Sequence, residues 1–132
     1  MKEKQSYWKK WDVLWVDFPQ TGSRVIAGMH PAVVISNNRS MAKAPTFLAI
    51  PGSTNLGEGR PNFGQVVVLP DRRVGLNLPT RFDCGRILTV DKDWVRTRAG
   101  SVEGTQHKSA FNVELARTLE LVEEKHFLGE ET

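Results

Sequence analysis

The sequence predicts a mainly β domain with one C-terminal helix. Three observations carry this. Short apolar runs recur between turns rich in Gly, Pro and Asn, which is the punctuation of strands. In the first run Leu14, Val16 and Phe18 share one face while Val13 and Trp15 share the other, so both sides of the strand are covered. That fits a small closed barrel or an oligomer interface better than an open sheet. One stripe of helical period appears, near the end of the chain. The length, 132 residues, suits one ordinary domain. Residues 1–10 read as a flexible N-terminal segment, 11–122 as the domain and 123–132 as an acidic tail.

The first strand runs from Val13 to Phe18 and stops at Pro19. A loop from Gln20 to Met29 follows, with Gly22 and Gly28 allowing sharp turns. Pro31 to Ser36 is the second strand, and Asn37-Asn38-Arg39-Ser40 is turn chemistry. Thr46 to Ile50 is the third strand, stopped by Pro51-Gly52. Residues 52–62 form a polar loop, and Gln65 to Leu69 the fourth strand. Pro70-Asp71 turns the chain. Thr80 to Val90 reads as a fifth strand bent at Gly85, Asp91 to Val95 as one helical turn, and Arg96 to Val102 as an edge strand. Ser109 is the expected N-cap of the helix, with Phe111, Leu115, Leu119 and Val122 as its apolar stripe and Asn112, Glu114, Arg117 and Glu120 facing away.

Composition is ordinary, with 39% hydrophobic and 25% charged residues. No apolar run approaches the roughly 20 residues of a membrane helix, and the N-terminal residues do not read as a secretory signal. The lone Cys84 has no internal partner, which points to a reducing cytoplasm. Charge is uneven. Residues 1–119 hold 17 Lys/Arg and 10 Asp/Glu, whereas residues 120–132 hold one Lys and five Glu. A basic body draws polyanions toward it, and the acidic end reads as a solubility device in preference to a mimic of an anionic ligand.

Two polar segments stand at strand ends, one carrying Arg24 and His30 and the other Gly52-Ser53-Thr54-Asn55. Polar groups at the rim of a rigid sheet are well placed for chemistry on a charged substrate. Arg24, Arg60, Arg81 and Arg86 are candidate phosphate contacts. Trp8 and Trp11 flank Lys9-Lys10, a cluster that either binds RNA or packs the end of the domain, and Trp15 reads as core or dimer interface. His107 and His126 lack partners at metal-ligand spacing, so neither metal nor cofactor is expected. No phosphate-binding glycine loop is present.

Several segments resemble the MazF/PemK family of toxin endoribonucleases. Trp15-Val16-Asp17-Phe18-Pro19 is similar to its WVDFxP strand, and Pro31-Ala32-Val33-Val34-Ile35-Ser36 to its RPAVVIS strand. Thr21-Gly22 and Ala27-Gly28 frame a loop like its catalytic loop. Ile50-Pro51-Gly52-Ser53-Thr54 resembles its VPxTT segment, and Asp83-Cys84-Gly85 with Ile87 and Thr89-Val90-Asp91-Lys92 its DxGQIRTVDK segment. Five pieces stand in one order between Trp15 and Lys92, and the likeness covers roughly residues 11–122.

The resemblance implies a small SH3-like β-barrel working as a homodimer. It implies metal-independent cleavage of single-stranded RNA, such as mRNA, by 2′-hydroxyl attack, leaving a 2′,3′-cyclic phosphate and a 5′-hydroxyl. It also implies a cognate antitoxin as partner, and no membrane. Residue by residue, His30 falls where the family has arginine and Ser53 where it has threonine. His30, Ser53, Arg24 and Arg86 are the implied catalytic set, and Thr21, Thr54, Asn55, Arg60 and Arg81 the implied RNA contacts. Arginine is a permanent cation, whereas histidine exchanges a proton near neutrality. Three readings of His30 stand open. It is a proton-transfer group with Arg24 supplying charge, or it marks a weakened site that binds RNA, or it hydrogen-bonds to backbone beside Pro31. Val25 and Ile26 replace the family's Glu-Gln, and Arg86 precedes the family's arginine position by two residues, on the face of Leu88 if the strand continues. The alternatives for the whole chain are a nucleic-acid- or protein-binding module and a CcdB-like gyrase toxin. The nuclease reading requires the segments around His30 and Ser53 to meet over one phosphodiester.

Overall fold

Alternating burial shapes the first strand, β1 (Asp12–Phe18), in which only Trp15 and Asp17 are partly exposed. Its side chains feed two cores, one on each side of the sheet. Val13 joins Val33, Ile50, Phe82 and Phe111, while Leu14, Val16 and Phe18 join Ala32, Val34, Met41, Phe47 and Val90. The computed structural model describes residues 8–20, 26–57 and 64–121. Both faces of β1 are therefore covered, as the two-sided apolar pattern requires.

β2 (Gly28–Val34) pairs antiparallel with β1, with Val33 opposite Val13 and His30 opposite Val16. It begins before Pro31 and ends at Val34, so His30 belongs to the sheet and not to the preceding loop. Residues 28–31 pair with β1 alone, because the ladder to β3 covers only Ala32, Val33 and Val34. A proline is tolerated on such an open edge.

The Asn-rich segment is a short helix, α1 (Asn38–Lys43), and not a simple turn. Asn37 accepts a hydrogen bond from the Ser40 amide, and Met41 is fully buried in the second core. The side chains that favour turns also cap helices, and burial of Met41 decides between the two.

β3 (Thr46–Ser53) runs through Pro51 instead of ending before it. Along one edge, Thr46 to Ala49 pair with β6 (Leu88–Asp91), whereas Gly52 and Ser53 pair with β5 (Thr80–Asp83). Pro51 falls in the gap between these partners. The single strand expected over residues 80–90 is thus two strands, separated by a turn at Cys84-Gly85 that shifts the register by three residues. Gly52 is required where β3 crosses β5. A Cβ there would lie 2.6 Å from Phe82 Cε2 and 2.7 Å from Thr80 Cγ2.

β4 (Gln65–Val68) pairs with β5, and β7 (Val95–Ser101) with β1, after a 3-10 turn at Lys92–Trp94. The strand order is β4-β5-β3-β2-β1-β7, with β6 beside β3. β7 is an edge strand as its diluted pattern indicates, and strand pairing leaves the curled sheet open between β4 and β7. The fold class is nonetheless the barrel-like one expected.

α2 (Gln106–Thr118) starts a turn earlier than Ser109 suggests, because Thr105 accepts from the His107 amide and caps it. Phe111 and Leu115 cover the first core, Phe111 meeting Phe82 edge-on at 5.5 Å and Trp11 at 6.3 Å. Leu119 is the half-exposed C-cap, and Val122 lies outside the described residues. Glu114 does not simply face away, since its carboxylate accepts from the Gly64 amide at 3.2 Å. Trp11 is core, with the Lys10 ammonium over its ring at 5.1 Å, so this tryptophan packs the end of the domain. No described helix is long and apolar enough to cross a membrane.

Candidate active site

Where β3 changes partner, its end and β5 form the walls of an open cleft of about 200 Å³. Ser53 and Asn55 come from β3 and the residues after it, Arg81 and Asp83 from β5, and Arg86 from the turn beyond. Ile26, Pro51, Gly52 and Gln65 complete the lining. Register explains the gathering. Ser53 stands opposite Arg81, and Asp83 stands opposite Gln65. In β5 the buried Thr80 and Phe82 alternate with the half-exposed Arg81 and Asp83, which places the two charged side chains on one face.

Local hydrogen bonds hold the rim. Ser53 Oγ accepts from the Asn55 amide at 3.0 Å, and Asn55 Oδ1 accepts from the Gly57 amide at 3.1 Å. Gly57 has φ +71°, and a Cβ there would come within 3.1 Å of the Arg81 guanidinium. Arg81 Nε is buried and lacks a hydrogen-bond partner among the described residues. Asp83 Oδ1 accepts from the Gly85 amide at 2.9 Å, and the Arg86 amide donates to the Asp83 carbonyl at 2.9 Å. Arg86 therefore ends a tight turn, and strand alternation with Leu88 does not place it. No ion pair among the described residues joins Asp83 to Arg81 or Arg86, so the cleft presents both signs of charge uncancelled.

His30 adjoins this wall through Gly52. Its Nδ1 is 3.2 Å from the Gly52 carbonyl oxygen and its Nε2 is 3.0 Å from that of Ala27. The Phe18 ring packs edge-on against it at 6.3 Å. The segments around His30 and Ser53 are thus adjacent, although both imidazole nitrogens face backbone oxygens.

The PemK-like, MazF-like toxin family of type II toxin–antitoxin systems matches residues 9–121. The chain belongs to this family. Solved MazF-like structures share its fold. An "Endoribonuclease in complex with its cognate antitoxin from Mycobacterial species" has a TM-score of 0.66 at 21% identity, covering 86% of this chain and 96% of that one. "Mycobacterium tuberculosis toxin MazF-mt6" has a TM-score of 0.65 at 15% identity, covering 83% and 96%. MazF from Deinococcus radiodurans has a TM-score of 0.66 at 14% identity, covering 85% and 96%. No curated protein matches the sequence.

Of the residues picked out from the sequence, this MazF-like fold brings Ser53, Asn55, Arg81 and Arg86 into one cleft. Thr54 projects elsewhere and lines a second hollow with Trp15, Leu76, Leu78 and Thr80. Thr21, Arg24 and Arg60 lie outside the described residues. Asp83 and Gln65 gained no role from the sequence. The signal for Asp83 was its spacing from Arg81, two positions along a strand whose intervening residue is apolar. Cys84 is no nucleophile here. Burial, followed by the nearby Glu114 and Asp83 charges, pushes its thiol up to about 12. Among the described residues, no three His, Cys, Asp or Glu side chains cluster at metal-binding range.

Proposed function

We propose that the protein is the endoribonuclease of a type II toxin–antitoxin pair and cuts single-stranded RNA in the cleft between β3 and β5. The observation that carries this is a carboxylate and two guanidiniums, unpaired with one another, beside a serine hydroxyl in a chain of the MazF-like family. Asp83 takes the 2′-hydroxyl proton, and the freed oxygen attacks the adjacent phosphorus. The bond to the 5′-oxygen breaks, leaving a 2′,3′-cyclic phosphate, and solvent in the open cleft protonates the departing oxygen. Arg81 and Arg86 stabilise the extra negative charge of the phosphorane, and Ser53 hydrogen-bonds a non-bridging oxygen. Asn55 holds a flanking nucleotide, and the family resemblance adds Arg24 as a further charge and Thr21 and Arg60 as further RNA contacts. None of these steps draws on a metal.

The active species is a cytoplasmic homodimer silenced by a cognate antitoxin. Leu69 and Leu78, each 59% exposed, support a second copy as cover for these apolar side chains. The fold neighbour solved with its antitoxin supports the pairing. The test is incubation with a long single-stranded RNA in EDTA, followed by mapping of 5′-hydroxyl ends. Discrete cuts are expected. RNA retained intact supports a binding module instead, and trapped gyrase–DNA complexes a CcdB-like toxin. Light scattering of the purified protein is expected to give the dimer mass.

A further inference from the structure

His30 touches two backbone carbonyls from two separate segments, one in the cleft lining and one next to it. Gly52 lines the cleft and precedes Ser53, while Ala27 follows the cleft-lining Ile26. Topology explains why a side chain is needed there. The β2–β3 ladder ends with Ala32 opposite Pro51. The next residue of β2, Pro31, has no N–H to carry it on to Gly52. An imidazole from the adjoining position meets the Gly52 carbonyl instead. The other ring nitrogen reaches back to the start of the same strand, where Gly28 adopts φ +83° and the chain turns into the sheet. The Phe18 edge and the pairing with Val16 fix the ring between these contacts. A neutral imidazole offers one N–H, and the imidazolium offers one to each carbonyl. Only the imidazolium donates to both carbonyls, and in the neutral ring the lone-pair nitrogen faces a carbonyl oxygen.

We propose that His30 is a positioning residue, a side-chain bridge that replaces the ladder interrupted by Pro31 and holds the cleft-lining residues Ile26 and Ser53 in place. It acts through these residues and not as a carrier of the substrate's proton. The proposal rests on the nuclease reading for its kinetic consequence, and on geometry alone for the bridge.

Two substitutions separate the roles. His30→Phe keeps a ring and removes both donors, whereas His30→Arg keeps multiple donors but exchanges no proton near neutrality. Measured on single-stranded RNA, His30→Phe is expected to lower kcat about 10²-fold, the scale of a small misplacement of reacting groups. Its pH–rate profile is expected to keep the shape of the original protein's. His30→Arg is expected to restore kcat to within about tenfold of the original protein with KM little changed. Amide hydrogen exchange at Ile26 to Gly28 and at Gly52 and Ser53 should accelerate in His30→Phe and return toward the original rate in His30→Arg. Loss of a limb from that profile in His30→Phe overturns the proposal and makes His30 the proton carrier. Unchanged exchange in both segments overturns the bridge. If the unsubstituted protein leaves RNA intact, the nuclease reading fails, and the exchange comparison still decides the bridge. Should His30→Phe fail to fold, His30→Asn, which loses one of the two contacts, takes its place in both measurements.

Discussion

Two arginine–aspartate pairs in this chain have the same spacing and opposite fates. Asp71 and Arg73 sit in the turn after β4, where the carboxylate accepts from the Arg73 amide at 2.8 Å and from the guanidinium at 2.9 and 3.2 Å. The guanidinium also donates to the Gly104 carbonyl at 3.1 Å. Arg81 and Asp83 are two apart as well, but they lie in β5. A strand rises about 3.3 Å per residue, so side chains two positions apart on one face stay about 7 Å apart at their bases. The turn folds its charges onto each other, and the strand holds them side by side and open. Residue types alone do not make a reactive site. The backbone beneath them decides whether opposite charges cancel or remain available to a third group.

The largest expected effect comes from removing the open carboxylate. Asp83→Asn should cut RNA cleavage about 10²- to 10⁴-fold with the melting temperature little changed, the range of one acid–base group. A full rate in that variant would remove the cleft from the chemistry. Arg81→Ala should lower kcat about 10²-fold or more, as loss of a transition-state donor does. A rise in KM alone would make Arg81 an RNA-holding group. The cleft also depends on the crossing of β3 and β5. Gly52→Ala should destabilise the fold by about 1–3 kcal/mol, because its methyl group collides with Phe82 and Thr80. A smaller loss in thermal unfolding would mean that β5 yields at that crossing.

The closed pair should leave catalysis alone. Arg73→Ala is expected to keep the cleavage rate within about twofold, as distant surface substitutions do. Its effect belongs to acid unfolding. Hydrogen bonds from Arg73, with its charge, hold the Asp71 carboxyl at about 2, below its usual 3.8. A depressed folded value favours the folded state above 3.8, and that contribution disappears as pH falls through about 2. Arg73→Ala should flatten this part of the stability profile. His107 acts in a different window, since burial lowers its value below 6.5. Stability should therefore decline as pH falls below 6.5, and His107→Gln should remove that slope.

Much of the architecture was legible because it depends on local pattern. Apolar groups on both faces of β1 called for cover on both sides, and two cores supply it. The boundaries that depart from the local pattern share one cause. Asn37, Pro51 and Gly85 are punctuation residues, yet tertiary partners gave each a different use: a helix cap over buried Met41, a gap between two pairing strands, and a turn inside one long partner of β3.

The sequence by itself determined strand periodicity, the glycine and proline positions, the stock of charged groups and the motif order that marks the family, since all of these are properties of neighbours along the chain. Only the tertiary structure decided that Asp83 joins Ser53, Arg81 and Arg86, that Thr54 turns away, and that His30 spends its nitrogens on Gly52 and Ala27. Those outcomes follow from the register between strands distant in sequence, where a shift of one residue sends a side chain to the opposite face.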